Sequence, residues 1–256
     1  MYFLVQGSSS LIFLICGFIF SDLGYFSVRA VIYLRILVKL GGFPFHSWFF
    51  LILENISWDS FFFLASIQKL IPLVALVYFR GEWLLVRTLS AALGRVGGLA
   101  RRRIVHLLGY SSLLNLGWML RLVGNFFVLL TYFTIYMINL FLVVVYFSRR
   151  RVFNLSELLV SAGRRQDRIR LVLSFIRIRG IPPLLGFWGK LLGLSWLLYY
   201  IPEVGFFLVI FSGIMVVSYL RIVFISWKLL LSAFILAKPY WGTPVFILVF
   251  IGRLMI

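Results

Sequence analysis

The fold class this sequence predicts is an all-α, polytopic membrane protein of about nine transmembrane helices, two of them broken. Three observations predict it. Hydrophobic residues make up 63% of the 256 positions and charged residues only 12%, against roughly half and a quarter in a soluble domain. Apolar runs long enough to cross a bilayer, about 20 helical residues each, recur from end to end. The polar interruptions between them are short, which leaves no stretch for a separate soluble domain.

The first run covers 1–21. It lacks a basic leader and a small-residue cleavage site, so neither a secretory signal nor an Arg-rich transit peptide is read there. The second, 25–49, is interrupted by Gly41-Gly-Phe-Pro44. Runs 58–79, 83–99, 104–121 and 125–148 are read as the third to sixth spans. The seventh, 168–199, is too long for one straight crossing and contains Gly180-Ile-Pro-Pro183. Pro182 and Pro183 remove backbone donors and crowd the preceding turn, so a break is expected there. Runs 203–226 and 241–256 complete the set. Between spans six and seven, the Arg-rich loop 149–167 contains Asn154-Leu-Ser-Glu157. That spacing matches a helix N-cap with a reciprocal glutamate and predicts a short amphipathic surface helix.

Two interrupted spans are the pattern of inverted-repeat transporters, in which unwound backbone inside the bilayer lines a buried, hydrated cavity. A single proline break more often only tunes packing. With connections alternating sides, one face collects Arg101-Arg-Arg103, Arg149-Arg-Arg151, Arg164, Arg165, Lys228 and Lys238. By the positive-inside rule this is the cytoplasmic or matrix face. The net charge of +18 is therefore read as orientation and contact with anionic phospholipid, and not as nucleic-acid binding.

Redox and metal chemistry find no ligand set. Cys16 is the single cysteine, and His46 and His106 lie in different runs, whereas iron–sulfur and structural zinc sites need about four Cys or His ligands. No glycine-rich nucleotide fingerprint follows a strand. No cofactor is expected in this chain.

Three lysines resist a loop explanation. Lys39 precedes the first break, Lys69 lies within the third span, and Lys190 follows the second break. A lysine at the centre of a membrane helix costs about 3 kcal/mol on translocon scales, so all three are expected to face a polar interior. An amine taken out of water holds its proton less tightly, and a nearby carboxylate reverses this, which suits proton transfer. The bland alternative is snorkelling or structural ion pairing. Arg35, Arg177 and Arg179 also fall in apolar stretches, as residues near the breaks. Asp22, Glu54, Asp59, Glu82, Glu157, Asp167 and Glu203 all lie near predicted span ends, so no carboxylate is read at mid-membrane.

Four motifs in order carry a family resemblance: Lys39-Leu-Gly-Gly-Phe-Pro-Phe-His-Ser-Trp48, Gln68-Lys-Leu-Ile-Pro72, Tyr110-Ser-Ser-Leu-Leu-Asn-Leu-Gly-Trp-Met119 and Gly180-Ile-Pro-Pro-Leu-Leu-Gly-Phe-Trp-Gly-Lys190. Together they resemble the subunit 2 family of mitochondrial-type respiratory complex I, the NADH:ubiquinone oxidoreductase. The resemblance implies an antiporter-like inverted-repeat bundle in the mitochondrial inner membrane. Residues 1–80 would be the remainder of a first repeat, 83–226 the second repeat and 241–256 a C-terminal helix. It implies a proton path through Lys39, Lys69 and Lys190, with His46, Glu54 and Asn115 as accessory candidates and Gly41, Gly42, Pro44, Gly180, Pro182 and Pro183 at the helix breaks. FMN, iron–sulfur clusters and quinone are then expected in partner subunits of the membrane and peripheral arms.

Several positions depart from the family pattern. Asn115 stands where the family has a histidine, and an amide carries no proton at neutral pH. Phe50 and Leu51 replace a proline and an acid. The segment Tyr2-Phe-Leu-Val-Gln6 aligns one helix before the first lysine, so a separate chain is expected to supply the preceding helices and a Glu near Lys39. Two other readings remain at this stage: the core subunit of a cation/proton antiporter, and a non-pumping structural subunit of complex I.

Overall fold

A computed structural model describes residues 2–19, 25–79, 90–92, 94, 97, 103–154, 157, 185–200, 202–203 and 205–213. Eight helices have defined bounds: α1 Tyr2–Ile19, α2 Tyr25–Leu40, α3 Ser47–Leu53, α4 Trp58–Ala65, α5 Ile67–Phe79, α6 Ile104–Leu122, α7 Phe126–Arg150 and α8 Leu185–Tyr200. Among the described residues there is no strand; one isolated antiparallel bridge joins Arg103 to Asn154.

α6 is the axis of the bundle, and every residue from Ile104 to Leu122 is buried. Such all-round burial is what a helix without a polar face requires. Around it the chain turns large apolar side chains outward, among them Leu11 and Ile15 on α1, Phe127, Ile138 and Phe141 on α7, and Leu192, Leu198 and Tyr199 on α8. In water so large an apolar surface would be a liability; against lipid it is the natural exterior. α7 has 25 residues, about 38 Å at 1.5 Å per residue, enough to cross a hydrocarbon layer about 30 Å thick. Trp58–Tyr78, taken through the junction of α4 and α5, is the other continuous apolar stretch of membrane-spanning length among the described residues.

Lipid tails are as apolar as leucine, so helices in a bilayer associate through close packing and small residues more than through the hydrophobic effect. α6 carries this signature. A Cβ on Gly117 would lie 2.6 Å from the Cβ of Ala91, and one on Gly94 would lie 2.6 Å from the backbone nitrogen of Leu114. The helical residues 90–92, 94 and 97 therefore include positions that approach α6 almost backbone to backbone. Gly189 and Gly193 of α8 pack less tightly, against side chains: a Cβ would stand 3.4 Å from Ile135 Cγ2 of α7 and 3.2 Å from Leu122 Cδ1 of α6.

The third predicted span is present as Trp58–Tyr78 and carries an interruption at Ser66, between α4 and α5, that the sequence did not announce. Ser66 ends α4 with φ −124° and ψ −78°. Its hydroxyl bonds back to Phe62 O, and the Tyr136 hydroxyl donates to the freed Ala65 carbonyl at 3.1 Å. A serine competing for backbone carbonyls and a tyrosine reaching across from α7 keep the broken turn satisfied. The first predicted break is present: α2 stops at Leu40 and α3 starts at Ser47. The second, at Gly180, Pro182 and Pro183, lies outside the described residues. So do the ninth span and most of the loop 149–167 with its predicted surface helix.

At one end of the bundle the segments around 54–58, 103 and 151–154 meet. The Arg103 guanidinium donates to Glu54 O at 3.3 Å, Ile104 N donates to Phe153 O at 2.9 Å, and Trp58 stacks between Phe147 and Phe153. Outside the spans, the Glu157 carboxylate accepts from Phe153 N at 2.9 Å and Asn154 N at 3.2 Å. It also accepts from the Asn154 side-chain amide at 2.6 Å. The glutamate half of the predicted cap is thus in place. The Phe153 amide, then the Asn154 amide and side chain, hold this carboxyl below its ordinary value of 4.5. A depressed carboxylate stabilises the fold above its ordinary pKa and stops doing so as pH falls through the lowered value. Amide hydrogen exchange at Phe153 and Asn154, corrected for intrinsic rate, is expected to lose protection only on acidification below about pH 4.5. In the Glu157→Gln variant that protection should be weak and independent of pH; protection in the variant equal to wild type would show that the carboxylate does not hold the turn.

Candidate functional site

Lys39 lies in the last turn of α2, half-buried. The helix ends there because Gly41 adopts φ +65°, a conformation costing a residue with a Cβ about 1–2 kcal/mol. Gly41 N then donates to Val38 O at 3.1 Å and Gly42 N to Leu37 O at 3.0 Å, the paired bonds of a Schellman cap. The Trp48 indole adds a bond to Val38 O at 3.0 Å. The ammonium of Lys39 therefore sits at the carbonyl end of a half-helix, where the dipole favours positive charge.

Lys69 is in the first turn of α5, directly after the break at Ser66, and is 3% exposed. Its Nζ donates to Ser112 Oγ at 3.2 Å and lies 5.2 Å from the centre of the Phe49 ring. The Ser112 hydroxyl in turn donates to Gly109 O at 2.8 Å, which leaves its oxygen lone pairs toward the lysine. Phe49 also packs against the first break, with its Cβ 3.3 Å from where a Cβ on Gly41 would stand. Phe49 thus stands beside the cap at Gly41 and presents its ring to the ammonium of Lys69. Among the described residues every carboxylate is exposed: Glu54, Asp59, Glu157 and Glu203. The surroundings of Lys69 are neutral and polar.

On the other side of α6 a cavity opens among α6, α7 and α8, lined by Ser111, Asn115, Tyr132, Tyr136, Asn139 and Lys190 together with small and apolar residues. It offers about 20 Å³ to the centres of water molecules, and each water needs about 10–15 Å³ on that measure, so one or two fit. Asn115 is buried and accepts from the Tyr132 hydroxyl at 2.9 Å. Because Ser111, Ser112 and Asn115 share one helix, α6 presents hydroxyl and amide groups to Lys69 on one flank and to the cavity of Lys190 on the other.

The structure therefore gathers Lys69, Asn115 and Lys190 about α6, while Lys39 stands at the end of α2 beside the first break. Two accessory candidates stand apart. His46 is partly exposed, with Nδ1 3.1 Å from Pro44 O and its ring near Phe43 and Phe50. Glu54 is exposed at the end of α3. Among the described residues no three His, Cys, Asp or Glu side chains gather as metal ligands.

Sequence reasoning missed Ser112, Phe49, Tyr132 and Asn139. The last two carried a readable signal, because Tyr132, Tyr136 and Asn139 stand at i, i+4 and i+7 and make a polar stripe on an apolar helix. Phe49 and Ser112 carried none, since their roles depend on which helices meet.

Comparison with known proteins places the fold. Residues 2–216 match the family model described as NADH:quinone oxidoreductase/Mrp antiporter, transmembrane. NADH-ubiquinone oxidoreductase chain 2 of Anopheles gambiae is 32% identical over 200 residues, covering 74% of this chain and 59% of that one. The protein of the same name from Artemia franciscana is 27% identical over 194 residues, covering 76% and 63%. The chain thus spans about six tenths of the length of these two relatives. Among solved structures, respiratory complex I from Thermus thermophilus superposes with a TM-score of 0.76 at 21% identity, covering 87% of this chain and 57% of that one. The Mrp complex from Dietzia superposes at 0.66 and 17% identity, covering 86% and 49%. The fold is that of the antiporter-like membrane subunits, and the chain belongs to the NADH:quinone oxidoreductase/Mrp antiporter transmembrane family.

Proposed function

We propose that this chain is a proton-translocating, antiporter-like subunit of a complex I-type NADH:ubiquinone oxidoreductase, moving protons through Lys39, Lys69 and Lys190 while electrons pass through other subunits. The observation that carries the reading is Lys69. An ammonium 3% exposed costs a membrane helix about 3 kcal/mol, yet it rests on one neutral hydroxyl and an aromatic face. A purely structural position would hold an apolar side chain more cheaply; a position that must be charged and then discharged needs the amine. The breaks at Gly41 and Ser66 flank it, and each frees backbone to rearrange while the proton moves.

In this reading residues 1–80 close a first repeat, 83–226 form a second and 241–256 follow it, all within one membrane domain. FMN, iron–sulfur clusters and quinone reside in partner subunits, and quinone reduction drives the transport. The Arg-rich end formed by Arg103 and Arg149 to Arg151 faces the matrix side of the mitochondrial inner membrane and meets anionic phospholipid. A Glu beside Lys39 is supplied by a polypeptide other than the described residues.

Purification of the native assembly tests this. Flavin and iron–sulfur absorbance co-purifying with the chain is the expected result, with NADH-driven proton uptake after reconstitution. Cation-driven proton exchange in an assembly without those chromophores would establish the antiporter reading instead, which the Mrp side of the family model favours.

A further inference from the structure

Asn139 stands on α7 at 4% exposure, facing the cavity that Lys190 also lines. Its side-chain nitrogen donates to Ile135 O at 2.9 Å. That bond fixes the orientation of the amide, because the flipped form would set Oδ1 against a carbonyl oxygen. Oδ1 is buried without a hydrogen-bond partner among the described residues. An orphaned buried acceptor is a standing cost that protein interiors relieve with water wherever the space is polar and large enough.

This space qualifies. It has room for one or two waters, and a buried water asks for two to four polar partners, about three on average. Asn139 Oδ1 accepts. The Lys190 amine, when protonated, donates. Ser111 Oγ spends its proton on Leu108 O at 2.7 Å and keeps lone pairs to accept. A metal cation fits poorly beside a lysine, whereas a neutral donor and acceptor fits well.

We propose that Asn139 Oδ1 holds a water against the Lys190 amine between α6, α7 and α8, and that this water takes up and returns the Lys190 proton. This rests on the proton-carrying reading of Lys69 and Lys190 above. In each exchange the Lys190 ammonium gives one proton to the water oxygen and the neutral amine regains one from it, so both end as they began. Asn139 is a positioning residue: it holds the acceptor geometry and carries no proton itself.

The test is an experimental structure of the assembled complex, at a resolution that shows ordered water, for wild type, Asn139→Thr and Asn139→Val. Threonine and valine have the same shape, and only threonine keeps an acceptor oxygen. Wild type and Asn139→Thr are expected to show a peak within hydrogen-bond distance of residue 139 and Lys190, and Asn139→Val to lack it. Protons moved per NADH should fall at least about tenfold in Asn139→Val and stay above half of wild type in Asn139→Thr. Asn139→Ala takes the place of the valine variant if that one does not assemble. A wild-type structure with no peak overturns the site. A peak lost in Asn139→Val with transport unchanged, in a complex where Lys69→Met abolishes transport, overturns the water's role. Transport unaffected by Lys69→Met would overturn the proton-carrying reading instead, and the density would still decide the site.

Discussion

Replacing Lys69 with methionine is expected to lower proton transport by the assembled complex by about 100-fold, equivalent to about 2.7 kcal/mol in the barrier. The amine donates to Ser112 and lies over the Phe49 ring, and a thioether can neither bind nor release a proton. Methionine is unbranched and of similar length, so it fills the space that the lysine stem leaves. The same substitution removes a membrane charge costing about 3 kcal/mol on translocon scales, so the variant should melt no lower than wild type, and higher if the amine is charged in the resting protein. Loss of transport together with retained or raised thermal stability is a signature that a scaffold does not give. Unchanged proton stoichiometry in reconstituted vesicles, with the variant present at wild-type level, would refute the pumping role. Lys190→Met should lower transport in the same direction with a smaller stability gain, because Lys190 is only half-buried.

Gly117→Leu is expected to be the most damaging change to assembly. A Cβ there would stand 2.6 Å from the Cβ of Ala91, 3.0 Å from its Cα and 3.1 Å from its backbone nitrogen. These are not flexible side-chain ends, so the backbone at Ala91 must move away from α6. Overpacking of this kind costs about 3 kcal/mol, the upper end of the usual range. Because α6 is buried on all sides, the displacement cannot be taken up toward lipid. The measurement is the thermal midpoint and yield of the chain in detergent. Gly7, with nothing within 4 Å of its hypothetical Cβ, provides the control: Gly7→Ala should be neutral or stabilising by up to about 1 kcal/mol. Equal behaviour of the two variants would mean that the close approach at Gly117 is absent.

Much of the fold was legible because a bilayer leaves few choices. Every backbone group must be satisfied within the segment, so an apolar run of the right length becomes a helix and little else. The first break was legible for an equally local reason. Two adjacent glycines before Phe43-Pro44 permit a positive φ and a double-bonded cap, and the structure places that cap at Gly41 and Gly42. The break at Ser66 was not legible, since Ala65 and Ser66 read as ordinary helix. What opens the turn is the Tyr136 hydroxyl arriving from α7 to take the Ala65 carbonyl, a contact made across 71 residues of sequence.

Chemical type and depth were written in the sequence alone. The chain determined, without any partner in space, that amines at 39, 69 and 190 would be carried into an apolar layer, since insertion energy depends on the segment's own composition. Only the tertiary structure decided what those amines meet. Whether Lys69 faces lipid, a carboxylate or the neutral Ser112 hydroxyl is set by how α5 packs on α6, and the orphaned oxygen of Asn139 exists only because three helices close around it. Helix formation is local and close to additive along the chain, whereas a polar cavity is a property of the packing between helices that the chain brings together from far apart.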